Sequence, residues 1–391
     1  MNYILSDGTS REALFPLTFT RPVAELRVGI LTLREKWEKL LGAPCSVLTE
    51  AYLAEKFPLT TTARNVVISA DYLPTETLLE LVGQLQLGEA IIANGEVVAY
   101  ATEDATADFS LSSYRSISYD AGEATIKHTW DIFSKNADAL KADFALLTKG
   151  RRSQPLSSTN TVINPDAVFL EAGAKVECSI LNATNGPIYI GAGAEVMEGC
   201  IIRGGLALGE GAILKMGAKI YGACTFGPYC KVGGEVNNSV LFAYSNKGHD
   251  GFLGNSVLGE WCNLGADTNT SNLKNNYAEV RLWDYQKEGF AKTGLQFCGL
   301  IMGDHSKCGI NVMFNTGTVV GVSANIFGSG FPRNFVPSYS WGSASGFTTY
   351  LTKKAFETAK AMMGRRDVDF DDTEARILET VYSMTQKWRR N

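Results

Sequence analysis

The stretch 190–234, IGAGAEVMEGCIIRGGLALGEGAILKMGAKIYGACTFGPYCKVGG, carries an apolar residue at every sixth position. These positions are Ile190, Val196, Ile202, Leu208, Leu214, Ile220, Phe226 and Val232. A period of six fits neither a helix nor an alternating strand, but it is typical of hexapeptide repeats that wind into a parallel β-helix. We therefore predict a β-helix in the second half of the chain.

The repeat continues beyond residue 234 with two interruptions. It returns at Phe252, Leu258 and Leu264, and again at Met302, Cys308, Phe314, Val320 and Ile326. We interpret 234–251 as an insertion into the coil. The segment 274–297 reads as a projecting hairpin with its turn at Gly289, which could line a site, clasp a neighbouring subunit or be inert.

A second row of small residues stands two positions before the apolar row. Its members are Ala194, Cys200, Ala212, Ala218, Cys224, Cys230 and Cys262. No CxxC pair occurs, five of the eight cysteines (178, 200, 224, 230 and 262) fall on this row, and Cys308 falls on the apolar row. We therefore interpret the cysteines as small buried hydrophobes in a reducing compartment, not as disulfides or zinc ligands.

The pattern of predicted strands and helices in residues 1–150 is typical of an α/β domain. A short apolar strand at 1–5 is followed by the polar loop SDGTSREALFPLTFTRP and a helix over 28–41. A strand, a glycine-bearing loop and a helix in this order favour anion binding, because loop N–H groups point at phosphate oxygens. The remaining predicted elements are strands at 66–69 and 90–93, helices at 75–86 and 130–140, and a polar surface excursion at 102–123.

The C-terminal residues carry two helical patterns. We expect Thr352 to cap a helix over 353–363, and Asp372 or Thr373 to cap a second over 374–389. Both should pack on the end of the coil and cover its unpaired strand. The predicted domains are an α/β domain at 1–152, the β-helix at 153–348 and a helical tail at 349–391.

Charge and hydropathy limit the partners. A net charge of −5 gives no electrostatic reason to expect nucleic acid or an anionic membrane surface. We find no charged and then apolar leader at Met1 and no apolar run long enough to span a bilayer. We expect a cytoplasmic protein.

The segment 248–273, GHDGFLGNSVLGEWCNLGADTNTSNL, and the two-part layout resemble the bifunctional N-acetylglucosamine-1-phosphate uridylyltransferase/glucosamine-1-phosphate acetyltransferase family. The resemblance implies a sugar nucleotidyltransferase domain followed by a left-handed β-helix that forms a homotrimer. It also implies a nucleoside triphosphate and a sugar 1-phosphate as substrates, Mg²⁺ for nucleotidyl transfer and acetyl-CoA as co-substrate.

In the coil, the resemblance assigns three site residues. His249 lies where the family has its acetyl-transfer base, and Asn263 and Asn272 match two active-site asparagines. A histidine suits the task because an amine must lose a proton as it attacks a thioester. Asn237 stands where the family carries a phosphate-binding lysine and Phe252 where it carries a tyrosine, so either Lys247 supplies the charge or the acceptor differs. An ordinary loop histidine is the alternative.

In the N-terminal domain, the resemblance assigns the loop and one carboxylate. Gly8, Arg11 and Arg21 match the family's nucleotide-binding loop, but the loop has fewer of the family's glycine and basic residues. Guanidinium groups match phosphate oxygens in geometry. Asp71 lies after a strand, where the family places a Mg²⁺ ligand. The alternatives are that both arginines only pin the loop to carboxylates and that Asp71 is a turn former.

The sequence therefore predicts a transferase, and two other functions are weighed against it. A γ-class carbonic anhydrase would need three zinc histidines at each site, and this chain has three histidines in all, of which His128 lies outside the coil. A non-catalytic trimeric scaffold with eroded sites is the second alternative. We interpret His305 as a solvent-facing residue of the coil.

Overall fold

The computed structural model describes residues 1–389. The chain divides into two compact units, and two short segments near the N-terminus belong to the second unit although their neighbours in sequence belong to the first. The first unit holds Met1–Leu14, Thr20–Leu26 and Leu31–His128. The second holds Phe15–Phe19, Arg27–Ile30 and the chain from Thr129 onward.

The first unit is built on a six-stranded mixed sheet, which confirms the predicted α/β class. Its strand order is β2-β1-β3-β5-β4-β6. Strand β1 runs parallel to both β2 and β3, β5 is antiparallel to β3 and β4, and β6 is parallel to β4. The strands are β1 Asn2–Ser6, β2 Cys45–Leu48, β3 Asn65–Ser69, β4 Glu89–Ala93, β5 Glu96–Thr102 and β6 Arg115–Ser118.

Two helices belong to this unit, α1 at Leu33–Leu41 and α2 at Glu76–Gln84. Helix α1 begins later than predicted because Thr32 and Glu35 form a reciprocal capping box there. Strand β6 lies inside the segment predicted as a surface excursion. Three of its four residues are exposed, as expected of a surface segment, but its pairing with β4 was not predicted. Short 3₁₀ turns lie at Glu12–Leu14, Val23–Glu25 and Leu111–Ser113.

The second unit is a parallel β-helix with three faces, as predicted. Face 1 has the strands Thr161–Ile163, Ile180–Asn182, Ile201–Arg203, Lys219–Tyr221, Glu235–Asn237 and Phe252–Gly254, with the pair Asn269–Thr270 and Met313–Phe314 further along. Face 2 has Val168–Leu170, Ile188–Ile190, Leu206–Leu208, Cys224–Phe226, Val240–Leu241, Val257–Leu258, Leu300–Met302, Thr318–Val320 and Phe335–Val336. Face 3 has Lys175–Val176, Glu195–Val196, Ile213–Leu214, Lys231–Val232, Asn246–Lys247, Asn263–Leu264, Lys307–Cys308, Asn325–Ile326, Ser340–Ser343 and Gly346–Thr349.

The apolar row fills the coil interior, but the interpretation of 234–251 as an insertion is wrong. Strands Glu235–Asn237, Val240–Leu241 and Asn246–Lys247 continue the three faces in register. Lys247 pairs with Val232 on the preceding strand and is 1% exposed, so a lysine occupies an interior position of the row. Because lysine is not apolar, the sequence pattern breaks where the structure does not.

Two further positions differ from their prediction. The predicted interior residue Phe252 is only half-buried, and its neighbour Leu253 is fully buried in the coil instead. The apolar row is therefore displaced by one residue at this turn. Cys178 is exposed at a corner with φ 49°, whereas the other members of the small-residue row are buried. No disulfide joins any of the eight cysteines within residues 1–389.

The predicted hairpin is present, with Arg281–Asp284 antiparallel to Gly289–Lys292. It packs back on its own coil: Trp283 stacks on Phe335 with centroids 4.1 Å apart, and Tyr285 is 5% exposed. Phe15 and Phe19 also contact the Tyr285 ring. In this unit the arm therefore closes over the aromatic end of the coil.

Among its described residues the second unit has four α-helices: α3 at Asp131–Ser134, α4 at Asn136–Thr148, α5 at Thr352–Gly364 and α6 at Asp372–Met384. Thr352 does not cap α5, whose N-cap is Leu351, and Asp371 is the residue that caps α6. Helix α6 packs along a corner of the coil, since Tyr339 donates a hydrogen bond to the carbonyl of Leu378 at 2.6 Å and Glu374 lies 3.8 Å from His305. The strand Gly346–Thr349, not a helix, pairs with the last turn of face 3, which differs from the predicted covering of the coil end. Two further 3₁₀ turns are Pro165–Ala167 and Gln386–Trp388.

None of the helices described within residues 1–389 is both long enough and apolar enough to cross a bilayer.

Two candidate functional sites

The first candidate site lies where the parallel strands β1 and β3 end, which is the edge at which open α/β sheets bind ligands. The loop after β1 passes directly over the residues after β3. Gly8 has φ +58°, and a Cβ atom there would stand 2.1 Å from Ser69 Oγ. A glycine is required at this position both by the backbone conformation and by the close approach.

Arg11 is held inside this loop by a carboxylate and a phenol. Its Nε lies 3.1 Å from Asp7 Oδ2, and its Nη2 donates to Tyr52 Oη at 2.7 Å. Asp7 also accepts from the Val23 N–H at 2.7 Å and from Thr49 Oγ1 at 2.5 Å. Burial raises the pKa of Asp7, against the effect of these hydrogen bonds and of Arg11. Arg11 therefore pins the loop, which was the alternative to a triphosphate contact, and its nucleotide role stays a prediction.

Arg21 lies on the same loop and is 6% exposed. Like Arg11, it is a buried guanidinium close to the sheet, where a nearby anion would be poorly screened by water. The structure brings Gly8, Arg11 and Arg21 into one loop, and their predicted contact with nucleotide remains untested.

Asp71 is fully buried, and both of its carboxylate oxygens already accept hydrogen bonds. Ser69 Oγ donates to Oδ1 at 2.6 Å, and the Ser10 hydroxyl and the Lys127 ammonium both donate to Oδ2, the ammonium at 2.7 Å. Mg²⁺ needs carboxylate oxygens at about 2.0–2.1 Å and room for several waters. This arrangement does not fit Mg²⁺, and within residues 1–389 no cluster of three acidic, histidine or cysteine side chains offers another metal site.

Sequence reasoning missed Lys127 and Glu96. Lys127 Nζ also donates to Glu96 Oε2 at 2.6 Å and lies 4.6 Å from the centre of the Tyr72 ring. Burial lowers the pKa of Lys127, but Asp71 and Glu96 outweigh it and the pKa is raised overall. The hydrogen bond from Lys127 lowers the pKa of Glu96. These residues are more than twenty positions apart in sequence, so no local pattern joins them.

The second candidate site lies on face 3 of the coil and on the corner that follows it. The His249 side chain is exposed on the corner between Asn246–Lys247 and Phe252–Gly254, and it accepts no protein hydrogen bond within the described chain. Asn263 faces outward on face 3 with its Oδ1 3.4 Å from Asn246 Nδ2. Asn263 pairs with Asn246 on the next turn of face 3, and His249 follows Asn246 by three residues along the chain.

Asn272 lies on a different face. Its Nδ2 donates to Asn255 Oδ1 at 2.8 Å, just after the face 1 strand Phe252–Gly254. Among residues 1–389 no hydrogen bond joins Asn272 to Asn263 or to the His249 ring. The structure therefore does not bring all three predicted coil residues together within one chain.

Lys247 points into the coil instead of toward a substrate. Its ammonium donates to the carbonyl oxygens of His249 at 2.5 Å and Asp250 at 3.1 Å. Burial lowers the pKa of Lys247 to about 8. Its predicted role in binding a substrate phosphate stays a prediction, and the structure gives it a structural task, since it ties the His249 corner to the coil.

Positive charge on face 3 comes from other residues. Lys231 lies on the preceding strand of face 3 and is paired with Asn246, and Arg366 donates to Asn246 Oδ1 at 3.3 Å. Burial, followed by Arg366, Lys215 and Arg365, lowers the pKa of Lys231. None of these four cations forms an ion pair with a carboxylate within residues 1–389. This face therefore favours an anion.

His305 is not solvent-facing, and that prediction is wrong. It is 4% exposed at a corner with φ 61°, its ring lies 6.3 Å from Trp261, and its Nε2 is 3.8 Å from Glu374 Oε1. Tyr229, Tyr244 and Trp261 precede it on successive corners and stack in one ladder. Helix α6 covers this ladder at His305, which the coil pattern alone could not show.

A cavity of about 330 Å³ lies beside the edge strand β2, lined by residues that include Glu25, Arg34 and Lys56. None of the predicted site residues lines it.

Comparison with known proteins supports the two-part interpretation. Residues 3–152 match a family described as sugar nucleotidyl transferase. The bifunctional protein GlmU of Methanocaldococcus jannaschii is 35% identical over 89 residues, which cover 22% of this chain and 21% of that protein. A bifunctional sugar-1-phosphate nucleotidylyltransferase/acetyltransferase of Sulfurisphaera tokodaii is 33% identical over 93 residues, which cover 24% of this chain and 23% of that protein.

The aligned stretch thus spans about a fifth of the length of each of these relatives. The solved structure of an Arabidopsis UDP-N-acetylglucosamine acyltransferase is 14% identical and covers 58% of this chain and 89% of its own. Its TM-score of 0.20 is too low to support any further comparison. The family match and the GlmU-type relatives confirm the predicted resemblance and support the transferase class.

Proposed function

We propose that this chain is a two-site transferase of nucleotide-sugar synthesis. The first unit is a sugar-1-phosphate nucleotidyltransferase of the UDP-N-acetylglucosamine pyrophosphorylase type. The second transfers an acetyl group from acetyl-CoA to an amino-sugar phosphate. The observation that carries the proposal is the glycine loop with buried Arg11 and Arg21 at the ends of β1 and β3, inside the residues that match sugar nucleotidyl transferases.

In the first unit, an oxygen of the sugar 1-phosphate attacks the α-phosphorus of the nucleoside triphosphate, and pyrophosphate leaves as its bond to that phosphorus breaks. Loop N–H groups near Gly8 and the guanidinium groups of Arg11 and Arg21 bind the phosphates. The buried Asp7 keeps the Arg11 guanidinium in place while the ligand binds. Mg²⁺ at Asp71 forms no part of this proposal.

In the second unit, the amine of the acceptor attacks the thioester carbonyl of acetyl-CoA, and the CoA thiolate leaves. His249 accepts the proton that the amine loses, and Asn263 positions the acceptor. The unpaired cations around Lys231 and Arg366 support a phosphorylated acceptor, because they supply positive charge that Asn237 lacks. As in the resembling family, we propose that the active coil assembles as a homotrimer and that Asn272 acts in the same site.

Two assays test the nucleotidyl-transfer half. Purified protein is incubated with UTP or dTTP and a panel of sugar 1-phosphates, and pyrophosphate release is measured. Arg21→Ala should weaken triphosphate binding by about 10-fold or more, since a charge-assisted contact contributes about 1.5–3 kcal/mol. Arg115→Ala is the matched control, because Arg115 is an exposed arginine of the same sheet. Unchanged triphosphate affinity in Arg21→Ala would count against the loop.

A second pair of variants tests acetyl transfer. His249→Ala should lower the rate by about 10²–10⁴-fold and leave pyrophosphate release unchanged. Asn263→Ala should act on the same reaction, whereas Asn325→Ala, two strands further along the same outward row, should not. If no amino-sugar phosphate is acetylated and acetyl-CoA does not bind, the coil is a scaffold.

Light scattering tests the proposed homotrimer, which should give a mass near three times 42.4 kDa.

A further inference from the structure

We propose that the Lys127 ammonium is the resident cation of the first unit, and that this site binds its anionic ligand without a divalent metal ion. The proposal rests on the nucleotidyltransferase function proposed for that unit. It differs from the resemblance, which places Mg²⁺ at Asp71.

The first observation is that both oxygens of Asp71 already accept hydrogen bonds, and that Oδ2 accepts one from an ammonium. Its two oxygens accept from the hydroxyl groups of Ser10 and Ser69 and from Lys127 Nζ, and the side chain is fully buried. Gly8 lies close to the side chains of Ser69 and Asp71, since a Cβ atom there would stand 2.1 Å from Ser69 Oγ and 3.6 Å from Asp71 Oδ1. A metal ion could bind only after the ammonium had left.

The second observation is that the backbone fixes Lys127 in this place. The Ile126 N–H donates to the Asp71 carbonyl at 2.7 Å, and the Leu73 N–H donates to the Ala124 carbonyl at 2.9 Å. The segment before Lys127 therefore runs beside the residues that follow β3. Its ammonium reaches Asp71 as a consequence of backbone pairing, not of a flexible side chain alone.

The third observation is that two carboxylates and an aromatic face converge on this one ammonium. Lys127 Nζ lies 2.7 Å from Asp71 Oδ2 and 2.6 Å from Glu96 Oε2. The Tyr72 ring lies 4.6 Å away, and the Tyr72 hydroxyl donates to the same Glu96 oxygen at 3.3 Å. Two carboxylates around one cation is also the arrangement that a divalent ion would use. The raised pKa of Lys127 keeps the proton on the nitrogen at neutral pH.

This cation is placed where it can meet a ligand. The Lys127 side chain is 26% exposed, whereas Asp71 is fully buried beneath it. The ammonium therefore shields Asp71 from an approaching phosphate and presents positive charge to it, which is the electrostatic task of a bridging metal ion.

Manganese binding tests the proposal without using activity. Unmutated protein, titrated with Mn²⁺ and followed by electron paramagnetic resonance, should bind no Mn²⁺ at this site. Lys127→Gln removes the ammonium and leaves Asp71 and Glu96 together, so it should gain one Mn²⁺ site that Lys127→Gln/Asp71→Asn loses. Lys127→Arg retains the charge and should bind none, and the exposed Lys39→Gln on α1 should behave as the unmutated protein.

One Mn²⁺ bound by the unmutated protein and lost in Asp71→Asn would overturn the proposal. So would a Lys127→Gln variant with unchanged circular dichroism that gains no Mn²⁺ site. Either result is obtained whether or not nucleotide binds.

Calorimetry with UTP gives the second readout. The dissociation constant of the unmutated protein should be the same within threefold in Mg²⁺ and in EDTA, and Lys127→Gln should weaken binding in EDTA at least 10-fold. Binding that requires Mg²⁺ would overturn the proposal. Absence of UTP binding in every condition would reject the proposed function of the first unit, and the Mn²⁺ titrations would still decide the identity of the cation.

Discussion

Replacing Lys247 by methionine should change the free energy of unfolding by an amount that depends on pH, because it removes a buried charge as well as two hydrogen bonds to the His249 and Asp250 carbonyls. Lys247 is 1% exposed in the coil interior, at a position that continues the row of Val232 and Leu264. Burial lowers its pKa from 10.5 to about 8. Each pKa unit corresponds to about 1.4 kcal/mol, so the charged form costs about 3 kcal/mol in the folded state relative to the unfolded chain.

The sign follows from proton counting. Below pH 8 the lysine is charged in both states, and the full penalty is present. Between pH 8 and 10.5 the folded state has released the proton and the unfolded state still holds it, so stability rises with pH. The stability of Lys247→Met relative to the unmutated protein should therefore be highest below pH 8 and fall by about 1.6 kcal/mol between pH 8 and pH 9.5.

The assay is urea denaturation followed by tryptophan fluorescence, for both proteins, at several pH values between 7 and 9.5. Comparing the two proteins at each pH removes the titration of the buried tyrosines and cysteines, which both share. Lys175→Met, an exposed lysine on the first strand of face 3, controls for the loss of one positive charge. If the free energies of unfolding of Lys247→Met and the unmutated protein changed with pH in the same way, the lowered pKa of a buried Lys247 ammonium would be refuted.

Four further substitutions test the packing by their effect on the free energy of unfolding. Gly227→Ala should prevent normal folding of the coil, because its Cβ would lie 1.6 Å from the Phe242 carbonyl oxygen, and a near-native circular dichroism melt would contradict this. Gly83→Ala, inside α2 with open space around it, should instead stabilise by about 0.5–1 kcal/mol in urea. Thr32→Ala removes half of the α1 capping box and should cost about 1 kcal/mol by the same assay. Asn136→Ala should cost about 3 kcal/mol, since three buried partners lose a hydrogen bond, and a loss below 1 kcal/mol would show that water replaces them.

The coil was predictable because its signal is periodic and local. Each interior position repeats the same packing problem, so Ile190 through Val232 could be read without a structure. The prediction went wrong where one interior residue was not apolar. One complete turn of the coil was not predicted because Lys247 occupies its interior position. The Lys247 ammonium donates to carbonyl groups of the following corner, and a hydropathy pattern cannot show such contacts.

The sites were less predictable, and the reason is long-range pairing. Gly8 and Arg11 could be singled out because the loop itself is a recognisable type. The partners that define what Asp71 does, Ser10 and Lys127, reach it through the pairing of separated strands. His305 failed for the same reason, since its neighbour Glu374 comes from the C-terminal helix.

The second unit also constrains the order in which the chain can finish folding. The segment Arg27–Ile30 belongs to that unit, and its carbonyl at Gly29 accepts from Thr225 Oγ1, 196 residues later. At a synthesis rate of about 5–20 residues per second, roughly 10–40 s separate the two partners on the ribosome. Residues 27–30 must therefore leave the ribosome as open chain between segments of the first unit. The Gly29 and Ile30 N–H groups also donate to Asn136 and Asp143 of α4, so a nascent chain halted before Asn136 should be cleaved by protease at this segment, and one released after Thr225 should not.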